Sequence, residues 1–519
     1  MGPGLPGHAE HADTREARLK SAPRTAALLT GAMLVLVGPI AGFTLLRDPA
    51  DPRISVGAAP AATLVPGDVR DRTGRMIAGA VWTGLVAYDA ATGVPADAAA
   101  ESVTSPDRRV WTVRLRPGGR FHDGSPVTAR SFTGAWTSVL NENWHGAPLL
   151  TDVAGIKGAA RAVGRSAGVA GLKVEDDRTF EVTLDRPLNG FRALLGDPAF
   201  LPMPESVLRS RDWASYGRLP IGNGPYRVRS HDTSGTVLRR PAGGREIVVE
   251  AIPDAARQYA AVEAGDLDLA TQVPPGRHAS MDTDFRGRHL ALPGRTTTYL
   301  VFPERAEHLS SPALRQAMSM AIDRSAVTEG PLGHQASPAN ALVPPGVLPG
   351  RREGQCRLCV HDSKAATAAL ADAGGPTGPV TIRYEAGDAA GVTAVAGQLR
   401  KELKLDVRTR PAEPAELRGA DGPFVLHTTA AYPAPVAALA PLLELADGYA
   451  SDLIDEAERA ATPEEAVTPA RLAETALLRD MPAMPLWSSH EHLVWSERLR
   501  GVSAEPFTGL HLDRLALKE

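Results

Sequence analysis

Cysteine is nearly absent, with two in 519 residues, which excludes a disulfide framework. Lysine is scarce as well, at seven. The basic residues are therefore almost all arginine, a bias that accompanies the abundance of alanine, glycine and proline and reads as composition rather than as a binding surface. Neither sign of charge is in excess: the net charge is -4 and no basic run lies beyond the N-terminal tail, which argues against a nucleic-acid partner. Hydrophobic residues at 43% and charged residues at 22% are ordinary for a globular chain. A chain of 519 residues is too long for one hydrophobic core, so two or three lobes are expected.

Long hydrophobic runs are missing too, with one exception. Ala26 to Leu46 holds 21 residues without a charge, about 32 Å as a helix and enough to cross a bilayer core of about 30 Å. Residues 1–25 carry Arg15, Arg18, Lys20 and Arg24, which place this tail in the cytoplasm and the bulk of the chain outside. The run is longer than a usual signal core, and no small-x-small site follows directly. An uncleaved single-pass anchor is expected over a cleaved signal. No cysteine stands near it, so a lipoprotein's acyl anchor is excluded.

What remains is patterned as α/β. Trp111, Val113 and Leu115 alternate with polar residues as in a half-buried strand. After the turns at Pro117-Gly118-Gly119 and Asp123-Gly124-Ser125-Pro126, Thr128 is placed to cap a helix whose apolar face is Phe132, Ala135, Trp136, Val139 and Leu140. Leu172 to Val174 and Phe180 to Leu184 flank a charged loop as a hairpin. Ser311-Pro312 opens another helix. Between about 364 and 410, helix, strand, helix and strand alternate, which implies a parallel strand pair.

Chemistry is thin along this chain. Gly164-Arg165-Ser166-Ala167-Gly168 matches a nucleophile elbow in letters, but lacks the strand and helix that the elbow requires and reads as a loop. Cys356-x-x-Cys359 with His361 lacks an evident fourth metal ligand; a local disulfide pinning the loop before the 364 helix is the preferred reading and metal the alternative. His490 and His492 share one side of a strand, by default the solvent side. Asp266 and Asp268 read as a turn and a helix cap. No catalytic constellation, metal centre or cofactor site emerges, so a binder is expected rather than an enzyme.

Several short segments, in order, carry a likeness. They are Trp82-Thr83-Gly84-Leu85-Val86 with Tyr88-Asp89, Phe121 to Ala129, Gly222-Asn223-Gly224-Pro225-Tyr226, Gly265 to Leu269, Leu314 to Arg324, Pro338-Ala339-Asn340 to Gly346, and Pro485-Leu486-Trp487. The chain resembles the extracytoplasmic solute-binding proteins of ABC importers, in the oligopeptide/dipeptide/nickel-binding class. The resemblance implies a two-lobed periplasmic-binding-protein-like (type II) fold with a small extra strand-rich lobe, preceded here by the transmembrane helix. Lobe I would comprise 53–89, 211–294 and 486–519; the small lobe, 90–210; the other large lobe, 295–485. Crossings would lie near Gly294 to Thr296 and Pro485 to Trp487, and a ligand would be enclosed by hinge closure.

In peptide-binding members an Asp in a D-Y-x-x-P segment pairs with the ligand's amino terminus. The matching stretch here is Thr428-Thr429-Ala430-Ala431-Tyr432-Pro433-Ala434-Pro435, and the Asp position is Ala431. Thr83 and Pro303 also depart from the family's usual Glu and Asn. A buried ammonium would lack its partner, so a free peptide N-terminus is an unsuitable ligand. Thr428, Thr429, Ala431 and Tyr432, with the aromatics Trp144, Tyr299 and Trp487, are the candidate ligand contacts. The expected function is a monomeric, membrane-tethered receptor that delivers a peptide-like or other small solute to ABC permease subunits. The alternative is a membrane-anchored sensor or scaffold derived from such a binder.

Overall fold

A computed structural model describes residues 52–89, 93–241, 243–347, 356–417, 419–445 and 448–518. The tail at 1–25 and the expected anchor at 26–46 lie outside the described residues. Among those described, no helix is long and apolar enough to cross a membrane.

The signature stretch folds as its pattern dictates. Val110–Leu115 is a strand, and Ala129–Asn141 a helix whose N-cap Thr128 accepts from Ser131 N while the Ser131 hydroxyl accepts from Thr128 N, a reciprocal cap. Trp136 is fully buried, and its indole N–H donates to the Phe200 carbonyl at 3.0 Å. A four-stranded antiparallel sheet orders Ala100–Thr104, Val110–Leu115, Thr179–Thr183 and Leu172–Val174, so the hairpin is present.

The large sheet has 11 strands. At one end, Val407–Pro411 and Val380–Tyr384 form the parallel pair, with the helix Ala389–Leu403 between them in sequence. Phe424–Thr429 comes next, then the two longest strands, His289–Val301 and Ala483–Trp495, antiparallel and 13 residues each. Beyond them lie Leu269–Ala270, Ile54–Ala58, Glu246–Ala251, Gly235–Arg239 and Arg227–Asp232. A strand of 13 residues extends about 43 Å, so both long strands run past one core into the next. The first core gathers side chains mainly from 54–290 and 493–517; the second mainly from 299–487. Pairing of the long strands shifts register between Pro293 and Thr297. Gly294 sits in this break, where a Cβ would collide with Ser489.

Two local readings give way to tertiary structure. Asp268 caps no helix: it is 1% exposed, and its carboxylate accepts from Ser55 N at 2.9 Å and from the Ser496 hydroxyl at 3.2 Å, tying the first strand to the chain's end. His492 does not face solvent, and His490 is half-buried. His492 is buried with its ring edge to face with that of His278 at 4.2 Å, and the His490 ring lies tilted against it at 4.8 Å. Ser55 and Ser496 lie more than 210 residues from Asp268, and His278 lies as far from His492, in segments that no local periodicity can bring together. Ser166 is in an exposed loop, and Cys356 and Cys359 are joined by a disulfide just before the helix Ser363–Ala373.

Candidate binding site

The two cores touch through aromatic side chains that each lends the other. Tyr88 and Phe507, from the early chain and its end, pack into the second core with ring centroids 5.2 Å apart. Arg295 leaves the break in the long strand pair and lays its guanidinium over Phe507, 5.5 Å from the ring centroid. Its Nη1 donates to the Ala430 carbonyl at 2.8 Å, while Ala430 N donates to the Arg295 carbonyl at 2.9 Å. Thus Arg295 holds the end of the Phe424–Thr429 strand and the turn beyond it.

Charge is concentrated around this junction. Arg75, on the helix Arg72–Val81, pairs with the buried Asp197 at 2.6 Å, and Arg72 pairs with Glu491 at 2.6 Å. Glu505 is 2% exposed, and its carboxylate accepts from the backbone N–H groups of Phe507 and Thr508. Burial works to lower the basicity of Arg75, but the charge and hydrogen bond of Asp197 outweigh it and hold the guanidinium above its ordinary value. Burial pushes the Tyr88 phenol well up, reinforced by Asp197 and Glu505. It raises Glu491 against the pull of Arg72 and Arg295, and Glu505 against its hydrogen bonds to Thr508 and Phe507. Arg295 is lowered, by burial first and by Arg75 next. Beside these groups, a recess of about 240 Å³ is bordered by Arg75, Trp82, Thr83, Tyr88, Leu201 and Thr508.

The sequence-predicted contacts are distributed unevenly around this junction. Thr428 is buried opposite Thr297, while Thr429 bonds the Thr296 hydroxyl at 2.9 Å on the exposed side. Ala431 is half-buried, and Tyr432 is buried against Gly190, where a Cβ would strike its ring. Nearby, Arg186 pairs with Glu458, and Asn189 donates to the Ala460 carbonyl at 2.7 Å. Tyr299 is wholly enclosed in the second core, its hydroxyl donating to the Leu342 carbonyl. Trp487, one strand over and level with Thr298, packs on Gly391. Trp144 stands apart from these, edge to face with Trp213 at 4.8 Å. Sequence reading missed Arg75, Asp197, Arg295, Glu491, Glu505 and Phe507. Only Arg295 had a signal, its place beside an expected crossing.

The model of bacterial extracellular solute-binding proteins, family 5 (middle region), matches residues 94–449. The chain belongs to this family. Among curated relatives of this family 5 protein, the periplasmic murein peptide-binding protein MppA of Escherichia coli (strain K12) is 27% identical over 344 residues, covering 60% of this chain and 61% of MppA. The dipeptide-binding protein DppE of Bacillus subtilis (strain 168) is 26% identical, covering 47% of this chain and 46% of DppE. This family 5 chain therefore matches less than two thirds of the length of these relatives. Among solved structures, the unliganded open form of MppA, a periplasmic murein tripeptide binding protein, superposes with a TM-score of 0.79 at 21% identity, covering 91% of this chain and 98% of that one. Haemophilus influenzae OppA in complex with RPPGFSPFR gives 0.68 at 19% identity, covering 91% and 100%. The fold is thus the mixed α/β fold of the periplasmic binding proteins.

Proposed function

We propose that this chain is an extracellular solute receptor that encloses a peptide-like or other small solute where its two cores meet and delivers it to ABC permease subunits. It performs no chemistry; selection and closure are its work. The uncharged run at 26–46 holds it at the membrane as a single-pass protein. The solute is one without a free amino terminus. That reading rests on one observation: among the described residues, the carboxylates set around the Thr428–Tyr432 turn are already engaged, Glu458 by Arg186 and Asp388 by His427. Ala431 supplies none, Asp197 and Glu491 are paired with Arg75 and Arg72, and Glu505 is held by backbone N–H groups. Family membership and the similarity to proteins named for murein peptides and dipeptides support a peptide-like class.

The missing carboxylate and the anchor also favour a second reading, a membrane-tethered sensor or scaffold derived from such a binder. A thermal-shift panel on the full chain in detergent separates the two, with free-amino peptides, amino-blocked peptides, metal chelates and sugars as probes. A solute present at 100 times its Kd adds about 2.7 kcal/mol of stability. Stabilisation by amino-blocked peptides supports uptake; a flat response to every probe contradicts it and leaves the sensor or scaffold.

A further inference from the structure

We infer that the imidazoles of His278, His289, His334, His490 and His492 form a proton-operated seam between the two large cores: proton uptake unseats the segment 333–338 from the turn at 275–280 and loosens the receptor's grip on its solute. The effect on solute rests on the receptor reading above; the movement of the seam does not.

The strand Ala483–Trp495 is paired along one edge by His289–Val301 as it passes from core to core. Along its other edge the partner changes. Ala336–Pro338 pairs with Trp487 to Ser489, and Leu269–Ala270 pairs with Val494 and Trp495. Residues 490–493 lie between these partners, where the strand leaves the second core, which holds Trp487, for the first, which holds Leu493. His490 and His492 stand in this gap. Leu332 and Ala336 pack on the second core, while Val273, Met281 and Phe285, on either side of the 275–280 turn, share a small core with Val494. The two sides touch. Gln335 Nε2 donates to the Val273 carbonyl at 3.1 Å, and Gly333 lies so close to Pro275 that a Cβ would meet it at 2.9 Å. A rotation of one core against the other about this crossing must therefore move the segment 333–338 against the turn.

Imidazole fills the seam. The rings of His278 and His492 lie 4.2 Å apart and those of His492 and His490 4.8 Å apart, and Ser337 shares a 2.6 Å hydrogen bond with His490 Nδ1. His278 Nε2, His289 Nδ1 and both ring nitrogens of His492 are sealed from solvent with no hydrogen-bond partner. A proton on any of these would be a buried cation beside other imidazoles, without a counter-ion. The charged groups on the same elements are turned to other partners: Asp282 meets His289 at its far nitrogen, Nε2, at 3.3 Å, Arg277 is 3.6 Å from Asp284, Arg288 pairs with Glu497 and Glu491 with Arg72. Burial, the largest cause at each, holds His278, His490 and His492 below their ordinary pKa, and the neighbouring imidazoles add to it. Once the seam has parted, these rings meet water and take protons near the ordinary value of about 6.5. Below that pH, proton uptake favours the parted form, and the arrangement that needs both cores docked loses population.

Hydrogen exchange of the full chain in detergent, without added solute, compares pH 7.5 with pH 5.5 after scaling for intrinsic exchange rates. The amides of 334–339, among them His334 N bonded to the Thr328 carbonyl at 2.8 Å and Ala339 N to the Leu486 carbonyl at 3.2 Å, should exchange about tenfold faster or more at pH 5.5. Those of the helix Ala129–Asn141 should keep their protection. Equal protection of 334–339 at the two pH values overturns the inference, and this comparison needs no variant to fold. In His492→Phe and in His278→Phe the acceleration should shrink; an acceleration of full size in both also overturns it. Titration with N-acetyl-trialanine amide, which carries no titratable group, reads the grip, and its affinity should fall about tenfold or more from pH 7.5 to pH 5.5. Unchanged affinity beside a loosened seam overturns the seam's control of solute. Absence of binding at both pH values overturns the peptide-like reading above, and the exchange result alone then decides the seam.

Discussion

Lowering the pH from 7.5 to 5.0 should weaken the fold at the cluster formed by His278, His492 and His490. His492 is 9% exposed, and both its ring nitrogens are sealed from solvent without a partner. The groups that act on it are His278 from the 275–280 turn, His490 on its own strand, His289 on the neighbouring strand and the backbone of His334; no carboxylate is among them. Burial, with repulsion from these imidazoles, lowers its pKa from 6.5 to about 3. The folded state therefore binds the proton more weakly than the unfolded chain. Stability is fully present above about pH 6.5 and falls as the pH drops from there toward 3. At pH 5.0 the loss attributable to His492 is on the order of 2 kcal/mol, from about 1.4 kcal/mol per unit over about 1.5 units. His278 and His490 shift in the same direction and add to it. Urea midpoints at the two pH values, for the unmodified protein and for His492→Phe, measure the difference. Phe costs some packing at both pH values but cannot take up a proton, so its pH-dependent loss should be smaller by about 2 kcal/mol. Equal losses in the two proteins would refute the reasoning.

Two further substitutions probe the scaffold and the site. Thr128→Ala removes one half of the reciprocal cap on the Ala129–Asn141 helix and a 3.0 Å bond to Glu205, and should cost about 1 kcal/mol in a denaturant melt with solute affinity unchanged. Ala431→Asp places a carboxylate where the family carries one, and should raise the affinity for free-amino peptides about tenfold in titration calorimetry; no gain would show that another group controls the amino end.

Much of the fold was legible because its causes are local. The alternation of Trp111, Val113 and Leu115, the cap at Thr128 and the Ser311-Pro312 helix start each depend on residues within one turn or one strand, and the structure keeps all three. The alternation after 364 carried enough information for the parallel pair. The charged junction had no such signature. Arg75 and Asp197 are 122 residues apart, and Arg295 meets Phe507 only because the chain's end returns past the long strands. Tyr299 and Trp487 were chosen for being aromatic and near an expected crossing; both pack into the second core, and nearness along a strand does not by itself decide which face a side chain takes. His492 departs the other way, since a period of two says that it shares a face with His490 but not that His278 covers it.

The measurement that bears most directly on the central claim is the affinity of the full chain for a matched pair of tripeptides, one with a free amino terminus and one acetylated, both with free carboxylates. The account predicts that the acetylated peptide binds the more tightly, since among the described residues the acids around the Thr428–Tyr432 turn are already engaged. Tighter binding of the free-amino peptide would contradict it.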